Sequence, residues 1–408
     1  VQTCAPDLAK RGSKRMGKRE KKQKQQRGTP RGRASFYTGQ DDDDGESYGY
    51  QQTPEDFEEN PEGEEEEEDE ELEENDQNPS MDMPSKFLLY QQSVQSPKGD
   101  ISYLQKFFLM YVGGRVPLHL QEDFCGTALL STEWLRSDSR RTAVGLDLDV
   151  EALEWCMENN ISKVGADGYS RISLFHGNVL KPQEAKLVRA KPHELIRNIQ
   201  LEESDHDSEA LALESKAQDG STASSDDKQD QMISALPARD IVCAFNYSCC
   251  CLHKRAELVL YFKHVLDTLS KRGGIFVMDL YGGTSSEGKL RLQRRFPNFT
   301  YVWEQAEFDI IERKTRISLH YHLQKQQKKL RHAFSYSWRL WSLPEIKDCL
   351  EEAGFQSVHF WIRKMPDAHE MRNTEGFGVT RDLKYEEVKT FQQEDAWNAY
   401  IVGVAKSK

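Results

Sequence analysis

The sequence predicts an α/β fold built on a mostly parallel sheet. Short apolar runs alternate with amphipathic stretches between residues 118 and 279, and this alternation is typical of parallel strands joined by helices. Aromatic and β-branched segments replace that alternation in the C-terminal third, which indicates an antiparallel meander. Two low-complexity stretches, at about 1–80 and 198–234, lack the apolar residues that a folded core requires.

Five apolar runs account for the parallel strands. Helices are predicted between them at 128–136, 150–159 and 254–270, and Asp149 is suitably placed to cap the second helix. The five predicted strands are 118–122, 142–147, 171–176, 240–245 and 274–279.

The C-terminal third predicts a β lid followed by the last helix and strands. The lid is expected at about 285–342, with strands at 307–312, 315–323 and 332–339. A helix is predicted at 343–353, because Pro344 stands in its first turn and Gly354 lies just past its end. Strands at 358–362 and 399–404 complete a sheet that we expect to be mixed at one edge.

Charge is distributed very unevenly along the 408 residues, whose net charge is −13. Residues 1–36 carry +10 and residues 41–76 carry −21, so the remaining residues carry −2. We therefore expect a disordered tail at 1–80, basic and then acidic, and one domain at 81–408. The stretch 198–234, with ten acidic residues and two Lys, is expected to be a disordered insert in that domain.

Composition also limits the compartment and the partners. A run of about 18 apolar residues is missing, as is an apolar signal region, so we expect neither a membrane span nor secretion. Eight Cys without framework spacing indicate reduced intracellular thiols. The basic arm 10–24 indicates a nuclear localisation signal, an RNA tether or only a solvated tail, so cytoplasmic and nuclear locations both stay open.

The segment Glu122-Asp-Phe-Cys-Gly-Thr-Ala128, followed by Gly145-Leu-Asp147, has the pattern of a nucleotide site. A tight turn after a strand lets backbone amides approach a cofactor, and a carboxylate ending the next strand can accept both ribose hydroxyls. Gly126 and Asp147 are 21 residues apart, close to the spacing of about 20 in such units. Both a dinucleotide and S-adenosylmethionine suit this geometry. The absence of G-x-G-x-x-G disfavours a dinucleotide oxidoreductase.

Four segments resemble one largely uncharacterised bacterial and plant branch of the class I S-adenosylmethionine-dependent methyltransferases, and a fifth, the closing segment, resembles the final strand of that family. The resemblance covers about 86–182 and 238–405. It implies a Rossmann-like fold with a mostly parallel seven-stranded sheet, an antiparallel last strand and the β lid. The segments are Leu89-Tyr-Gln-Gln-Ser-Val-Gln95, Glu122-Asp-Phe-Cys-Gly-Thr-Ala128, Ala244-Phe-Asn-Tyr-Ser248, Asp279-Leu-Tyr-Gly-Gly283 and Trp397-Asn-Ala-Tyr-Ile-Val-Gly-Val404.

The resemblance also implies which residues contact the cofactor. Glu122, with Asp123 as its rival, and the turn 125–128 would face the methionine part, while Asp147 would hold the ribose. Asn178 would lie beside the adenine. Phe124 and Ala128 stand where the family pattern has Gly, and we expect only one turn position to need a positive φ angle. The full predicted set is Glu122, Phe124, Cys125, Gly126, Thr127, Asp147, Leu148, Asn178, Val179 and Asn246.

Asn246 and Tyr247 are predicted to act on the substrate side, because they follow the fourth strand. Methyl transfer is an in-line displacement whose chemistry resides mainly in the cofactor, so the protein mostly aligns the two reactants. Asn246 is expected to hold an amine or carbonyl of the acceptor, and Tyr247 to wall the site. Cys125 is interpreted as a small turn residue and not as a nucleophile.

Several other polar groups have open or ordinary interpretations. Three adjacent Cys at 249–251, with His253, lack zinc spacing, so we expect no metal. Arg339 is equally suited to a substrate anion or to pairing with Glu345. The His residues at 320 and 322 share one strand face and are interpreted as satisfied or exposed side chains.

The sequence therefore predicts an S-adenosylmethionine-dependent methyltransferase acting on a small molecule. The near-neutral body and aromatic lid favour an enclosed pocket over a nucleic-acid groove. The alternatives are an RNA or protein methyltransferase targeted by the basic arm, and an inactive cofactor-binding scaffold. Nothing in the sequence indicates the oligomeric state.

Overall fold

Nine strands form the central sheet in the computed structural model, which describes residues 84–165, 167–188, 236–365 and 384–407. The strands are β1 His119–Asp123, β2 Thr142–Asp147, β3 Ile172–His176, β4 Lys186–Val188, β5 Ile241–Ala244, β6 Ile275–Gly282, β11 Ser357–Lys364, β12 Glu386–Val388 and β13 Trp397–Val404. Their order across the sheet is β12-β11-β13-β6-β5-β1-β2-β3-β4.

The directions of the strands match the sequence-based expectation. Strands β3, β2, β1, β5 and β6 run parallel, and β13 lies antiparallel between β6 and β11. The short strands β4 and β12 extend the seven predicted strands at the two edges. The predicted α/β fold, with a mostly parallel sheet and an antiparallel last strand, is confirmed.

Helices cover both faces of this sheet, each face with its own apolar core. The helices are α1 Lys86–Val94, α2 Pro97–Tyr111, α3 Leu129–Ser137, α4 Val150–Asn159, α5 Gly168–Arg171, α6 Arg255–Thr268 and α7 Leu343–Ala353. One core contains the buried sides of α2, α3 and α4, and the other contains those of α6, α7 and the lid. Asp149 caps α4 by accepting from the Ala152 N–H at 3.0 Å, as expected.

The lid is a separate four-stranded antiparallel sheet, β10-β9-β8-β7. The prediction of a strand at 307–312 was wrong, because the Asp309 side chain accepts the backbone N–H groups of Ile311 and Glu312 and forms a turn there. The first two strands lie earlier instead. The strands are β7 Leu290–Arg295, β8 Phe299–Gln305, β9 Lys314–Leu323 and β10 Lys328–Arg339.

The last helix begins and ends where its sequence signals predict. Ser342 and Glu345 form a reciprocal capping box at the start of α7, with Pro344 in the first turn. Gly354 ends the helix with a φ angle of 110°, a left-handed conformation that glycine adopts without steric cost.

Three sequence-based expectations fall outside the described residues. The tail at 1–80 and the insert at 198–234 belong to this group, so both stay predictions. The basic arm 10–24 lies within that tail. In the described part of the chain, none of the helices is long and apolar enough to cross a membrane.

Candidate active site

The candidate site lies where the carboxyl ends of β1, β2 and β5 meet. Strands β1 and β5 are neighbours although β2 and β3 come between them along the chain. The chain order therefore reverses between β1 and β5, and ligands of open parallel sheets bind at such a reversal. Most of the predicted site residues follow these strands directly.

The turn after β1 contains three residues in the left-handed conformation. The φ angles are 56° at Phe124, 50° at Gly126 and 45° at Ala128. Our expectation that only one position needs a positive φ was wrong, because the chain passes from β1 to α3 within these few residues. Each left-handed residue with a Cβ atom costs about 1–2 kcal/mol, so the surrounding fold must hold this turn in place.

Two polar side chains anchor the same turn through Thr127. Gln91 of α1 donates to its hydroxyl Oγ1 at 2.7 Å, and Asn160 donates to its carbonyl oxygen at 2.8 Å. Thr127 is buried. It is therefore placed as a link between the turn and two helical segments, and its predicted contact with the cofactor stays a prediction.

Asp147 ends β2 with its carboxylate oriented by backbone groups. Its Oδ2 accepts the Gly126 N–H at 2.6 Å, and its Oδ1 accepts the Asp149 N–H at 2.8 Å. Burial raises the pKa of Asp147, and the two N–H donors oppose that shift. A carboxylate has about four lone-pair positions, so capacity remains for two ribose hydroxyls.

The surroundings of Asp147 leave space for a flat, partly apolar ligand. A Cβ atom built on Gly126 would meet no other atom within 4 Å. Leu148, directly after Asp147, has 63% of its surface exposed. A carboxylate, an open glycine and an exposed apolar side chain suit a ribose with an attached adenine.

Glu122 is buried and engaged with the start of α3. Its Oε2 accepts both the backbone N–H of Ser131 at 2.9 Å and the Ser131 hydroxyl at 2.6 Å. This satisfies an N–H of the first helical turn that the N-cap residue Ala128 cannot reach with a side chain. Burial raises the pKa of Glu122 to about 7, against the effect of these hydrogen bonds.

Asp123, the rival of Glu122, points to the opposite face of β1. It accepts hydrogen bonds from Gln121 at 2.9 Å and from the Tyr261 hydroxyl at 3.0 Å. Burial raises its pKa to about 6. These contacts connect β1 with α6.

Cys125 is a buried turn residue. Its backbone N–H donates to the Leu146 carbonyl at 3.2 Å, which joins the turn to β2. Burial raises the pKa of its thiol well above the ordinary value, with Asp147 and Glu122 adding to the effect. A thiol of this kind is poorly suited to act as a nucleophile.

Asn178 and Val179 follow β3 close to Asp147. The Gly177 N–H donates to the Asp147 carbonyl at 2.8 Å, which joins the ends of β2 and β3. Asn178 accepts the Leu180 N–H at 2.9 Å in a local turn, and its amide NH₂ keeps donor capacity. Val179 packs its side chain into the core, so only its backbone groups are suited to contact a ligand.

Asn246 and Tyr247, after β5, form a strained pair of left-handed residues with φ angles of 58° and 59°. The two carboxylate oxygens of Asp279 hold this pair, accepting the Asn246 N–H at 3.0 Å and the Tyr247 N–H at 2.7 Å. Burial raises the pKa of Asp279 to about 8. The motif that begins with Asp279 was recognised in the sequence, but nothing in that motif indicated this function.

The lid packs on Tyr247. The Tyr247 ring lies 4.8 Å from that of Tyr281 and 5.8 Å from that of Trp338, in β10. The Tyr247 hydroxyl donates to Asn398 Oδ1 at 3.2 Å. Trp303, from β8, lies 5.5 Å from Trp338 and extends the aromatic wall. The structure thus brings one predicted substrate-side residue into contact with the inner side of the lid.

The remaining polar candidates lie away from this site. Arg339 donates to Glu345 at 3.1 Å and to the His253 carbonyl at 2.9 Å. Of its two predicted roles, the structure therefore shows the pairing with Glu345. His320 is buried and its Nδ1 accepts the His332 N–H at 3.0 Å, and His322 shares the same strand face. A groove of about 480 Å³ lies on the lid, lined partly by Lys314, Arg316 and Tyr336, and none of its lining residues is a predicted site residue.

Comparisons with known proteins find similarity among solved structures. No family model matches the chain, and no curated protein matches it. An S-adenosylmethionine-dependent methyltransferase from Clostridium acetobutylicum is 14% identical with a TM-score of 0.46, over 78% of this chain and 98% of that one. DesVI from Streptomyces venezuelae is 12% identical with a TM-score of 0.45, over 78% and 96%. The sugar N-methyltransferase KedS8 from Streptoalloteichus is 12% identical with a TM-score of 0.44, over 81% and 98%.

Proposed function

We propose that the chain is an S-adenosylmethionine-dependent methyltransferase that acts on a small molecule. The observation that carries the proposal is the pairing of the Asp147 carboxylate with the Gly126 N–H beside the open side of the turn. That pairing lies at the reversal of strand order, where a nucleotide-like ligand is expected.

The residues present fit this cofactor. Asp147 would accept the ribose hydroxyls, Gly126 would allow close approach of the ligand, and Leu148 would pack on the adenine. Bound S-adenosylmethionine supplies an electrophilic methyl group on a sulfonium. A dinucleotide fits less well, because its pyrophosphate favours the G-x-G-x-x-G turn that this chain lacks.

On the substrate side, the chain's own residues would position the acceptor and exclude water. The structure gives the Asn246 side-chain amide no hydrogen bond to a described residue, so its donor and acceptor groups are available to an acceptor molecule. Tyr247, Tyr281 and Trp338 would form the apolar wall of the pocket. Asp279 is committed to two backbone N–H groups, and we assign it the holding of the Asn246–Tyr247 turn instead of proton transfer.

The aromatic wall supports a small acceptor. Its rings make contacts of 4.8–5.9 Å with one another, a packing that favours a closed, poorly hydrated space. A polymer substrate would need an open groove beside Asn246.

The cofactor assignment is tested by calorimetric titration of S-adenosylmethionine into the full chain and two variants. Asp147→Ala should weaken binding by about 1.5–3 kcal/mol, roughly 10- to 150-fold, because it removes a charged acceptor. Asp138→Ala, at the opposite end of the strands, is the matched control and should bind like the wild type. Absence of binding by the folded wild-type chain would overturn the proposal.

The acceptor class needs a second experiment. S-adenosylmethionine labelled in its methyl group is incubated with the full chain and a cell extract, which is then separated into small molecules, RNA and protein. Label in the small-molecule fraction, lost in the Asp147→Ala variant, is the expected result. Label confined to RNA or protein would contradict the small-molecule part of the proposal and leave the methyltransferase part standing.

A further inference from the structure

The lid sheet carries a concentration of positive charge. Residues 289–339 contain 12 Lys and Arg against four Asp and Glu, a net charge of +8. All of the other residues together must therefore be strongly acidic to reach the total of −13. This local excess was not visible in the near-neutral average of the body.

Strand register places many of these charges on one face. Ile317, Leu319 and Tyr321 of β9 point into the core, so the residues between them point outward. Across the sheet, Lys329 lies opposite His322, and Arg295 lies opposite Thr300, which also pairs with His322. We call this surface the basic lid face; it comprises Arg291, Arg295, Arg316 and Lys329, and Glu304 lies opposite Arg291 on the same face.

The charges on this face are close together in space. Burial lowers the pKa of His322, and the charges of Lys329, Arg291 and Arg331 lower it further. The groove of about 480 Å³ begins at the same face, where Arg316, Ser335 and Ser337 line it. Glu307 also lines the groove, so the clustered Arg and Lys side chains of the face, and not the groove, are the feature suited to an extended acidic peptide.

The chain enters the fold beside this sheet. Phe87 and Tyr90 of α1 pack on Phe334 of β10, with ring centroids 6.1 and 5.0 Å apart. Strand β10 is an edge of the lid sheet. Phe334 pairs with the core-facing Leu319, so the segment before residue 84 starts at the β10 edge of the lid sheet, on its inner side.

The acidic segment 41–76 ends eight residues before that point. Eight extended residues reach about 28 Å, whereas four strands at about 4.8 Å spacing are about 14 Å wide. The segment is thus long enough to lie across the whole face. Its connection to α1 also keeps its effective concentration high, on the millimolar scale for short linkers.

We propose that the acidic segment 41–76 docks on the basic lid face of its own chain. Its net charge of −21 complements the +8 of the lid. The tether favours this occupant over an RNA from solution, because the acidic segment competes with phosphates for the same charges. This surface is separate from Asp147 and Asn246, so the inference does not depend on the proposed activity.

Zero-length carbodiimide cross-linking of the full chain tests the docking, because it joins carboxylates to nearby Lys amines. Low-salt cross-links from 41–76 should concentrate on Lys314, Lys328 and Lys329, and should fall at about 1 M salt, where charges are screened beyond about 3 Å. Cross-links spread evenly over exposed lysines such as Lys163 and Lys271 would overturn the proposal.

Charge reversal provides a matched comparison. The triple variant Arg295→Glu, Arg316→Glu and Lys329→Glu should reduce cross-links to Lys328 at least fivefold. The control Lys163→Glu, Lys271→Glu and Arg272→Glu changes the net charge equally, away from the lid, and should keep them. Equal loss in both variants would show only a general charge effect and would contradict a defined docking face.

A titration with RNA tests whether nucleic acid, and not the acidic segment, occupies the basic lid face. A 20-nucleotide single-stranded RNA is titrated into the full chain and into a variant whose eight acidic residues at 64–71 are replaced by their amides. The amide variant should bind RNA at least tenfold more tightly, because its segment no longer covers the face. Equal binding through the lid in both proteins would assign this face to nucleic acid and overturn the proposal.

Discussion

The Asp147 carboxylate accepts the backbone N–H of Gly126 at 2.6 Å, across 21 residues of chain. This bond fixes the end of β2 to the turn after β1, so the group expected to hold the ribose and the surface expected to approach it form one unit. The turn also contains strained residues at 124 and 128. The bond therefore contributes both to holding the turn and to preparing the site.

Gly126→Ala should separate the stability of the turn from its role in cofactor binding. The φ angle of 50° makes a Cβ atom unfavourable by about 1–2 kcal/mol. Nothing lies within 4 Å of that Cβ, so we expect no further loss of stability from a clash. The new methyl group would, however, occupy the space assigned to the cofactor, so S-adenosylmethionine binding should fall at least tenfold.

Gly114→Ala is the control for this prediction. Gly114 has a φ angle of 68°, and a Cβ atom added there would also meet nothing within 4 Å, but this residue precedes β1 at the other end of the sheet. Denaturant unfolding should give similar losses for the two variants, and calorimetry should show weaker binding only for Gly126→Ala. Equal cofactor affinity in both variants would mean that the ligand does not approach Gly126.

Glu122 predicts a dependence of stability on pH. Its pKa of about 7 in the fold lies above the ordinary value of 4.5, so the fold favours the protonated form. The stabilisation that this raised pKa adds to the free energy of unfolding is on the order of 3 kcal/mol. It is fully present below about pH 4.5 and is lost as the pH rises through 7. Glu122→Gln stays neutral, so the stability difference between wild type and variant should change in this window, as measured by urea unfolding at several pH values.

The same residue gives a test of its predicted contact with the cofactor. The positive charges of S-adenosylmethionine would favour the ionised carboxylate if Glu122 faces them. Affinity should then rise between pH 6 and 8, with release of a proton that calorimetry detects in buffers of different ionisation enthalpy. Glu122→Gln should remove both effects. A wild-type affinity that does not change with pH would restrict Glu122 to its contact with Ser131.

The strands of the central sheet were predictable because their apolar runs are short, continuous and separated by helical spacing. The placement of Gly126 and Asp147 at the same edge of the sheet was predictable too, since it depends on chain spacing and on the direction of parallel strands, but the hydrogen bond between them was not predicted. The left-handed angles at Phe124 and Ala128 were not, because only glycine marks such a position in a sequence. Tertiary contacts of the turn, such as that between Gln91 and Thr127, maintain them.

Other features depended on contacts that no local pattern contains. Asp279 holds Asn246 and Tyr247 from more than 30 residues away, and only the pairing of β5 with β6 brings them together. The first lid strands were missed because β7 mixes apolar and basic residues. The turn at Asp309 interrupts an otherwise strand-like segment.

Tyr247→Phe should distinguish a wall residue from a catalytic one. The change removes the hydroxyl that donates to Asn398 Oδ1 and should cost about 1 kcal/mol of unfolding free energy. The ring contacts with Tyr281 and Trp338 remain, so a wall residue keeps kcat within a few-fold of wild type. Steady-state kinetics with the acceptor would refute the wall assignment if kcat fell 100-fold while the cofactor affinity stayed constant.

Asn246→Gly should show what the Asn246 amide contributes. Glycine adopts the φ angle of 58° without strain, so the unfolding free energy should stay within about 1 kcal/mol of wild type. Loss of the amide should lower kcat about 10- to 100-fold through poorer alignment of the acceptor. Gln327→Gly, at a φ angle of 49° in the turn between β9 and β10, is the matched control and should leave kcat unchanged. If single-turnover rates of the two variants were equal, Asn246 would act only as a turn residue held by Asp279.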